Sequence, residues 1–265
     1  MEQKVRALGV VVGEKRKGLR NQLKSWWGSG SKSGKERDGV VMKDGIVIQY
    51  RNNSIEFQIM QLADFQFLLR DYENALQHYK MALVDFKADN SLAYMAATSE
   101  MIFYCLCVLG HGRREAELYS ESANQFYMGR SPDSSPLLGA RLALINSASL
   151  LARGNFNDAA GALVAYSDEA GPGTHARAGF LLEEAALTYL RKEPFAHYRR
   201  YMLRMVYAGH KYAKIASLRM HVIRCYESAA ASYDSKGWCF ISDHINSQLK
   251  IQAVQAARIP QAIDM

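Results

Sequence analysis

Residues 71 to 86 read DYENALQHYKMALVDF. Ala75, Tyr79, Ala82 and Phe86 fall at i, i+4, i+7 and i+11, one face of a helix, and Tyr72 stands just ahead of them. The preceding segment sets Leu62, Phe65 and Leu69 at i, i+3 and i+7, and Arg70-Asp71 interrupts the pattern between the two runs. Two amphipathic helices joined by so short a break make an αα-hairpin. Small residues at Ala75 and Ala82 let the second helix approach the first closely, and the aromatic side chains fill the space beside them. No catalytic chemistry requires this spacing; the packing of two helices does.

The pattern is that of tetratricopeptide-type repeats, and it recurs loosely. Ala116 and Ala123 repeat the pair seven apart; Gly154, Phe156 and Ala159 repeat turn, aromatic and small residue; Val222, Tyr226 and Ala229 repeat the spacing of Ala75, Tyr79 and Ala82. Taking Ala75, Ala116, Ala159 and Val222 as equivalents gives intervals of 41, 43 and 63 residues. These exceed the roughly 34-residue period of a regular array, and HARAGFLLEEAALTYLRK supplies an extra helix in the longest interval. The expected fold is all-α, an irregular TPR-like α-solenoid of about ten helices with a basic N-terminal arm. RSPDSSP (130–136), EAGPGT (169–174) and KEP (192–194) mark loops. The chain divides on this reading into an arm and linker (1–37), a linker or small hairpin (38–56), the helical array (57–255) and a tail (256–265).

Charge is unevenly placed. Residues 1–37 hold ten of the 33 Lys and Arg and three of the 26 Asp and Glu, leaving 23 of each sign elsewhere. A nucleic-acid-binding body would carry a basic face; this is a neutral body with a basic arm, and nucleic acid is not an expected partner. In KRKGLRNQLKSWW, Leu19, Leu23 and Trp26 share one helical stripe, and Arg16, Arg20, Lys24 and Trp27 the next. Basic side chains beside tryptophan suit an anionic lipid interface. The candidate membrane contacts are Lys15, Arg16, Lys17, Arg20, Lys24, Trp26 and Trp27. The alternative is that the apolar residues of the arm dock on the array and GSGSKSG is a flexible linker. No apolar run reaches the length of a spanning segment, and Leu8–Val12 is too short for a secretory core, so the chain reads as cytosolic. Four cysteines without a metal spacing read as reduced, buried thiols.

Catalytic and cofactor motifs do not emerge. GEKRKGLR (13–20) imitates half a P-loop, but Leu19 and Arg20 replace the lysine and hydroxyl that phosphate and magnesium require. The seven histidines are dispersed. Glu183 and Glu184 are adjacent, so they diverge on a helix and read as a solvated edge; Asp243 and His244 cannot face each other for the same reason. The reading is of a non-enzyme with no catalytic, cofactor or metal site.

The chain resembles the large subunit specific to the TRAPP III complex, the subunit 8 family of membrane-trafficking tethers. The resemblance is carried by residues 2–27, 62–101, 181–190, 197–229 and 237–249, collinear over most of the chain, and more loosely by 102–176. Its most specific parts are Leu92-Ala93-Tyr94 with Glu100-Met101, the block YAGHKYAK (207–214), and Gly237-Trp238 followed by Asp243-His244. The family's members are longer, with a large region before this segment and β-sandwich domains after it. The resemblance therefore implies a fragment, a partial gene model or a truncated isoform. It implies a non-catalytic scaffold that meets other TRAPP subunits, acts on a Rab-family GTPase indirectly, and sits peripherally at Golgi or autophagosome-precursor membranes, supporting ER–Golgi transport and autophagy. The competing reading is a stand-alone TPR-type adaptor that binds SNAREs or other protein partners at membranes.

Overall fold

The computed structural model of the chain describes residues 1–26, 40–43, 47–129, 135–167, 174–191, 196–233 and 237–263. They fall into two compact units, Met1–Ser135 and Pro136–Met265. The first holds α1 (Glu2–Trp26), a two-stranded antiparallel hairpin of β1 (Val40–Lys43) and β2 (Val47–Tyr50), α2 (Ile55–Leu68), α3 (Tyr72–Ala88), α4 (Leu92–Leu109) and α5 (Arg113–Tyr127). The second holds α6 (Pro136–Ala152), α7 (Phe156–Ala165), α8 (His175–Leu190), α9 (Tyr198–Tyr212), α10 (Arg219–Tyr233) and α11 (Cys239–Ile263). Within each unit every helix packs chiefly on its neighbours in the chain, the connectivity of stacked helical hairpins. The expected all-α class is the observed one, with ten α-helices following the N-terminal α1 among the described residues. α11 continues through residues 256–263, which the sequence reading set apart as a tail.

Three of the turns are built alike. After α2, α3 and α6 the chain passes through one left-handed residue, Arg70 (φ 64°), Asn90 (φ 54°) or Gly154 (φ 74°). The next amide bonds back to the carbonyl five residues earlier: Asp71 to Gln66 (2.9 Å), Ser91 to Phe86 (3.0 Å) and Asn155 to Leu150 (2.9 Å). A second bond inside each turn links Arg70 to Phe67, Asn90 to Lys87 and Gly154 to Leu151. These paired bonds satisfy the last carbonyls of one helix. Asp71, Ser91 and Asn155 are at once the N-caps of the next helix. Asp71 also accepts from the Asn74 amide through Oδ1. A connector of three residues, one closing the first helix, one left-handed and one capping the next, reverses the chain.

The packing side chains lie as follows. Ala75, Tyr79, Ala82 and Phe86 are wholly buried, as are Val222, Tyr226 and Ala229; Leu62 is buried and Phe65 and Tyr72 are half-buried. Leu69 corrects the expectation that it packs on the same stripe. The helix ends at Leu68, Leu69 is its C-cap, and its side chain is 40% exposed. In the first unit Val12 of α1, with half-buried Leu8 and Val5 one and two turns earlier, joins Ile59, Leu62, Ala82, Phe86 and Tyr50 in one apolar cluster. The rings of Tyr50, Phe86 and Tyr94 meet at 4.8–5.2 Å, tying β2 to α3 and α4. The Tyr50 hydroxyl donates to Asp89 Oδ2 at 3.0 Å.

By length and composition one helix among the described residues, α4, is apolar enough to cross a membrane, although polar residues interrupt its apolar run. Here it lies between α3 and α5 with Ile102, Phe103, Cys105 and Leu106 buried. Its middle carries Glu100, 1% exposed. Its hydropathy reflects a helix covered on two sides within the unit.

Candidate functional site

Several tyrosine hydroxyls and carboxylates of the core are paired between neighbouring helices, and the same device recurs. The Tyr79 hydroxyl on α3 donates to Asp64 Oδ1 on α2 at 2.6 Å. Tyr127 on α5 donates to Glu100 Oε2 on α4 at 2.6 Å, while Tyr104 takes the other carboxylate oxygen. Tyr212 on α9 donates to Glu183 Oε2 on α8 at 3.1 Å. In each case a tyrosine on the later helix reaches back to a carboxylate on the earlier one. Burying a carboxylate without donors is costly, and the phenol supplies a charge-assisted bond with an apolar ring that fills the interface. Burial raises Asp64 above the usual carboxylate range, against the lowering influence of the Tyr79 bond. Burial, reinforced by the neighbouring carboxylates, also pushes the Tyr79 and Tyr212 phenols up, so they stay protonated donors.

Glu183 is therefore not a solvated edge. Its side chain is 14% exposed, and besides Tyr212 it meets Arg224 Nη2 of α10 at 2.6 Å. Successive helical side chains diverge, and divergence places Glu183 toward the next two helices. Adjacency in the sequence gives the divergence of Glu183 and Glu184 but not its direction.

Two tyrosines seat on glycines. A Cβ on Gly179 of α8 would stand 2.6 Å from the Tyr212 ring, and one on Gly209 of α9 would stand 2.7 Å from the Tyr226 ring. The notch at Gly179 lies one turn from Glu183, so the ring rests on the glycine while its hydroxyl reaches the carboxylate. At the next pair the Tyr226 ring covers Gly209, and its hydroxyl is hydrogen bonded to His210 Nδ1 at 2.8 Å. Burial, and secondarily the charge of His244, lowers the His210 pKa; the His244 ring stands 5.3 Å away. Burial pushes the Tyr226 phenol up to about 12.

These contacts give physical content to the blocks that the sequence reading singled out. YAGHKYAK contains Gly209, His210 and Tyr212, which join α8, α9 and α10. Tyr94 belongs to the aromatic triad and Glu100 to the double tyrosine bond. Trp238 packs 6.0 Å from Tyr233, and His244 faces His210. Nothing in the spacing of single residues announces a glycine notch or its tyrosine, because the partners lie 33 and 17 positions apart.

Among the proposed arm contacts, Lys15 is engaged within the first unit. Its Nζ donates to the Asn53 carbonyl at 3.1 Å and to Gln58 Oε1 at 2.9 Å. Arg16, Lys17, Arg20, Lys24 and Trp26 lie in α1, but their side chains, and the whole of Trp27, are outside the described residues. The cysteines also need correction. Cys105 and Cys225 are buried, with thiols pushed up to about 12 chiefly by that burial, but Cys107 is only half-buried and Cys239 is exposed at the start of α11. Among the described residues no group of three or more His, Cys, Asp or Glu converges to hold a metal ion.

Among the described residues the surface forms concavities. One, of about 270 Å³, is lined by Lys87, Ser99, Glu115, Leu118, Tyr119 and Ser122. Its lysine and glutamate belong to a solvated rim, where the Lys80–Glu115 pair at 2.6 Å also lies; such pairs stabilise little. Another, of about 590 Å³, is lined by Arg199, Met202, Leu203, Tyr233, Trp238 and Ile241. Chemically, the first offers a shallow polar cleft and the second an apolar groove with a cationic edge.

Residues 1–154 match the family model TRAPPC-Trs85, described as ER-Golgi trafficking TRAPP I complex 85 kDa subunit. The chain is 31% identical over 253 residues to Trafficking protein particle complex subunit 8 of Homo sapiens, an alignment covering 94% of this chain and 17% of the human protein. It is 43% identical over 53 residues to Transport protein particle subunit trs85-2 of Schizosaccharomyces pombe, covering 20% of this chain and 9% of that protein. The chain thus spans less than a fifth of the length of either relative.

Proposed function

Because this chain belongs to the TRAPPC-Trs85 family, we propose that it is part of a non-catalytic scaffold and tether of a TRAPP III-type complex. In this reading it meets other TRAPP subunits directly and a Rab-family GTPase only through them. It serves ER–Golgi vesicle transport and autophagy as a cytoplasmic, peripheral component at Golgi or autophagosome-precursor membranes. The observation that carries the proposal is the family match across the arm, the hairpin and the first helices. The geometry agrees with it: the buried tyrosine–carboxylate pairs link neighbouring helices, which suits a stiff frame with outer faces left for partners. The arm would add a membrane contact. Lys15 is committed to α2, so Arg16, Lys17, Arg20 and Lys24 would supply the cations, each worth about 1 kcal/mol near an anionic leaflet, with Trp26 and Trp27 at the interface.

Affinity purification of the tagged chain from cells tests the assignment. Recovery of TRAPP subunits is the expected result. Recovery of SNAREs without any TRAPP subunit refutes it and favours a stand-alone adaptor. Flotation with phosphatidylserine-containing vesicles, comparing wild type with Trp26→Ala/Trp27→Ala, tests the arm; equal flotation of the two, or none by either, removes the membrane contact.

A further inference from the structure

We infer that His210, His244 and Tyr226 form an acid-sensitive latch that seats the start of α11 against α9 at neutral pH and loosens it on acidification. α11 packs chiefly on α10. Between it and α9 lies the groove of about 590 Å³ lined by Met202, Leu203 and Ile241, so this side of its seat is sparsely filled. Arg199, over the Trp238 ring at 5.9 Å, bridges the two helices at one end of the groove. About 16 Å further along α9, at the helical rise, His210 meets His244 with the two imidazole rings 5.3 Å apart. The rest of the seat is apolar, with Ile245 wholly buried and Ile241 and Leu249 beside it.

Tyr226 fixes where the His210 proton sits. Its ring is wholly buried, rests on Gly209 and stands 5.6 Å from the His210 ring. Its hydroxyl is bonded to His210 Nδ1 at 2.8 Å and has no other partner among the described residues. The hydroxyl hydrogen therefore goes to Nδ1, which accepts, and neutral His210 carries its own proton on Nε2. Charging the ring puts a hydrogen on Nδ1 as well. The bond must then reverse, and the buried hydroxyl hydrogen is left without an acceptor, which is costly.

Among the described residues no carboxylate pairs with either imidazole to offset that charge. From α8, Glu183 is turned to Tyr212 and Arg224. From α10 the ring meets the neutral phenol of Tyr226; Glu227, the next residue, leaves that helix on another side. From α11 it meets His244, and Asp243 diverges from it in the same way. Lys211, which follows His210 on α9, adds a cation. Imidazoles take up protons in mildly acid solution, and two like charges this close oppose each other. Burial, and after it the charge of His244, lowers the His210 pKa. An opened chain takes up the proton near pH 6.5 and the closed one only at lower pH, so closure is fully favoured above about pH 6.5 and progressively less as pH falls through the folded value. The latch does not depend on the scaffold assignment.

Hydrogen exchange of the whole 265-residue chain, read by mass spectrometry at neutral pH and about one unit below pH 6.5 and corrected for the intrinsic exchange rate, tests the latch. Protection in the first turns of α11 should fall on acidification by up to about tenfold, the factor by which one proton taken up near pH 6.5 favours the open form one unit lower. His210→Gln should abolish this fall, and His244→Gln, at an exposed position, should reduce it. Should His210→Gln fail to fold, nuclear magnetic resonance titration of the histidine rings in wild type and His244→Gln decides. His210 is expected to titrate below the ordinary imidazole value and to move upward in His244→Gln. An equal fall of protection in wild type and His210→Gln, no fall in wild type, a His210 titration at or above the ordinary value, or no upward move in His244→Gln overturns the latch.

Discussion

Two glycines in helix interiors should respond to alanine with opposite signs. Gly161 lies exposed in α7, and a Cβ there meets nothing within 4 Å. Alanine then supplies its ordinary helical advantage over glycine, up to about 1 kcal/mol. Gly179 in α8 is buried, and its added Cβ would stand 2.6 and 2.7 Å from Cε1 and Cδ1 of Tyr212. Carbon atoms rest at about 3.5–4.0 Å, so the ring must retreat by about 1 Å. Tyr212 is 4% exposed and tethered to Glu183 at 3.1 Å, so the retreat strains a full interface and stretches that bond. Overpacking of this kind costs about 1–3 kcal/mol and the lost bond about 1 kcal/mol, against the same helical gain of about 1 kcal/mol. Gly179→Ala should therefore destabilise by about 1–3 kcal/mol and Gly161→Ala stabilise by about 0.5–1 kcal/mol. Urea unfolding followed by circular dichroism measures both, and both residues lie in the same compact unit. A double-mutant cycle of Gly179→Ala with Tyr212→Leu should show coupling, since the smaller side chain vacates the space. Gly179→Ala at least as stable as wild type would refute the notch.

Other perturbations probe the remaining elements. Tyr79→Phe leaves Asp64 half-buried without its donor, and should cost about 1.5–3 kcal/mol at neutral pH in urea unfolding. Asp64 already has a raised folded pKa, so its native state prefers the proton, and stability declines as pH rises from the unfolded carboxylate value through the folded one. Removing the bond that lowers this pKa widens the window upward, so the variant should regain part of its deficit on acidification; a deficit independent of pH would contradict this. Arg70→Gly relieves an exposed left-handed residue and should stabilise the first unit by about 0.5–1 kcal/mol, net of glycine's unfolded-state entropy, read from its thermal melt. Iodoacetamide with mass spectrometry should modify exposed Cys239 first, and buried Cys105 and Cys225, whose thiols are pushed up to about 12, only after unfolding; early labelling of Cys225 would refute its burial.

The amino-acid sequence by itself determined the hairpin of α2 and α3. The spacing of Ala75, Tyr79, Ala82 and Phe86 names the face that a helix must bury, and Arg70-Asp71 names the place where one helix stops and the next is capped. Periodicity and capping are local, so they are legible in a single chain. Val222, Tyr226 and Ala229 carry the same spacing and are likewise wholly buried. What only the tertiary structure decided is where the ends of those side chains go. The seat of Tyr212 on Gly179, the turn of Glu183 toward Tyr212 and Arg224, the engagement of Lys15 by Asn53 and Gln58, and the placing of Arg199 against the Trp238 ring all join residues on different elements. Helix pitch sets the direction in which a side chain leaves its own backbone; the crossing of a second helix, whose register depends on every side chain in the interface, sets what it meets.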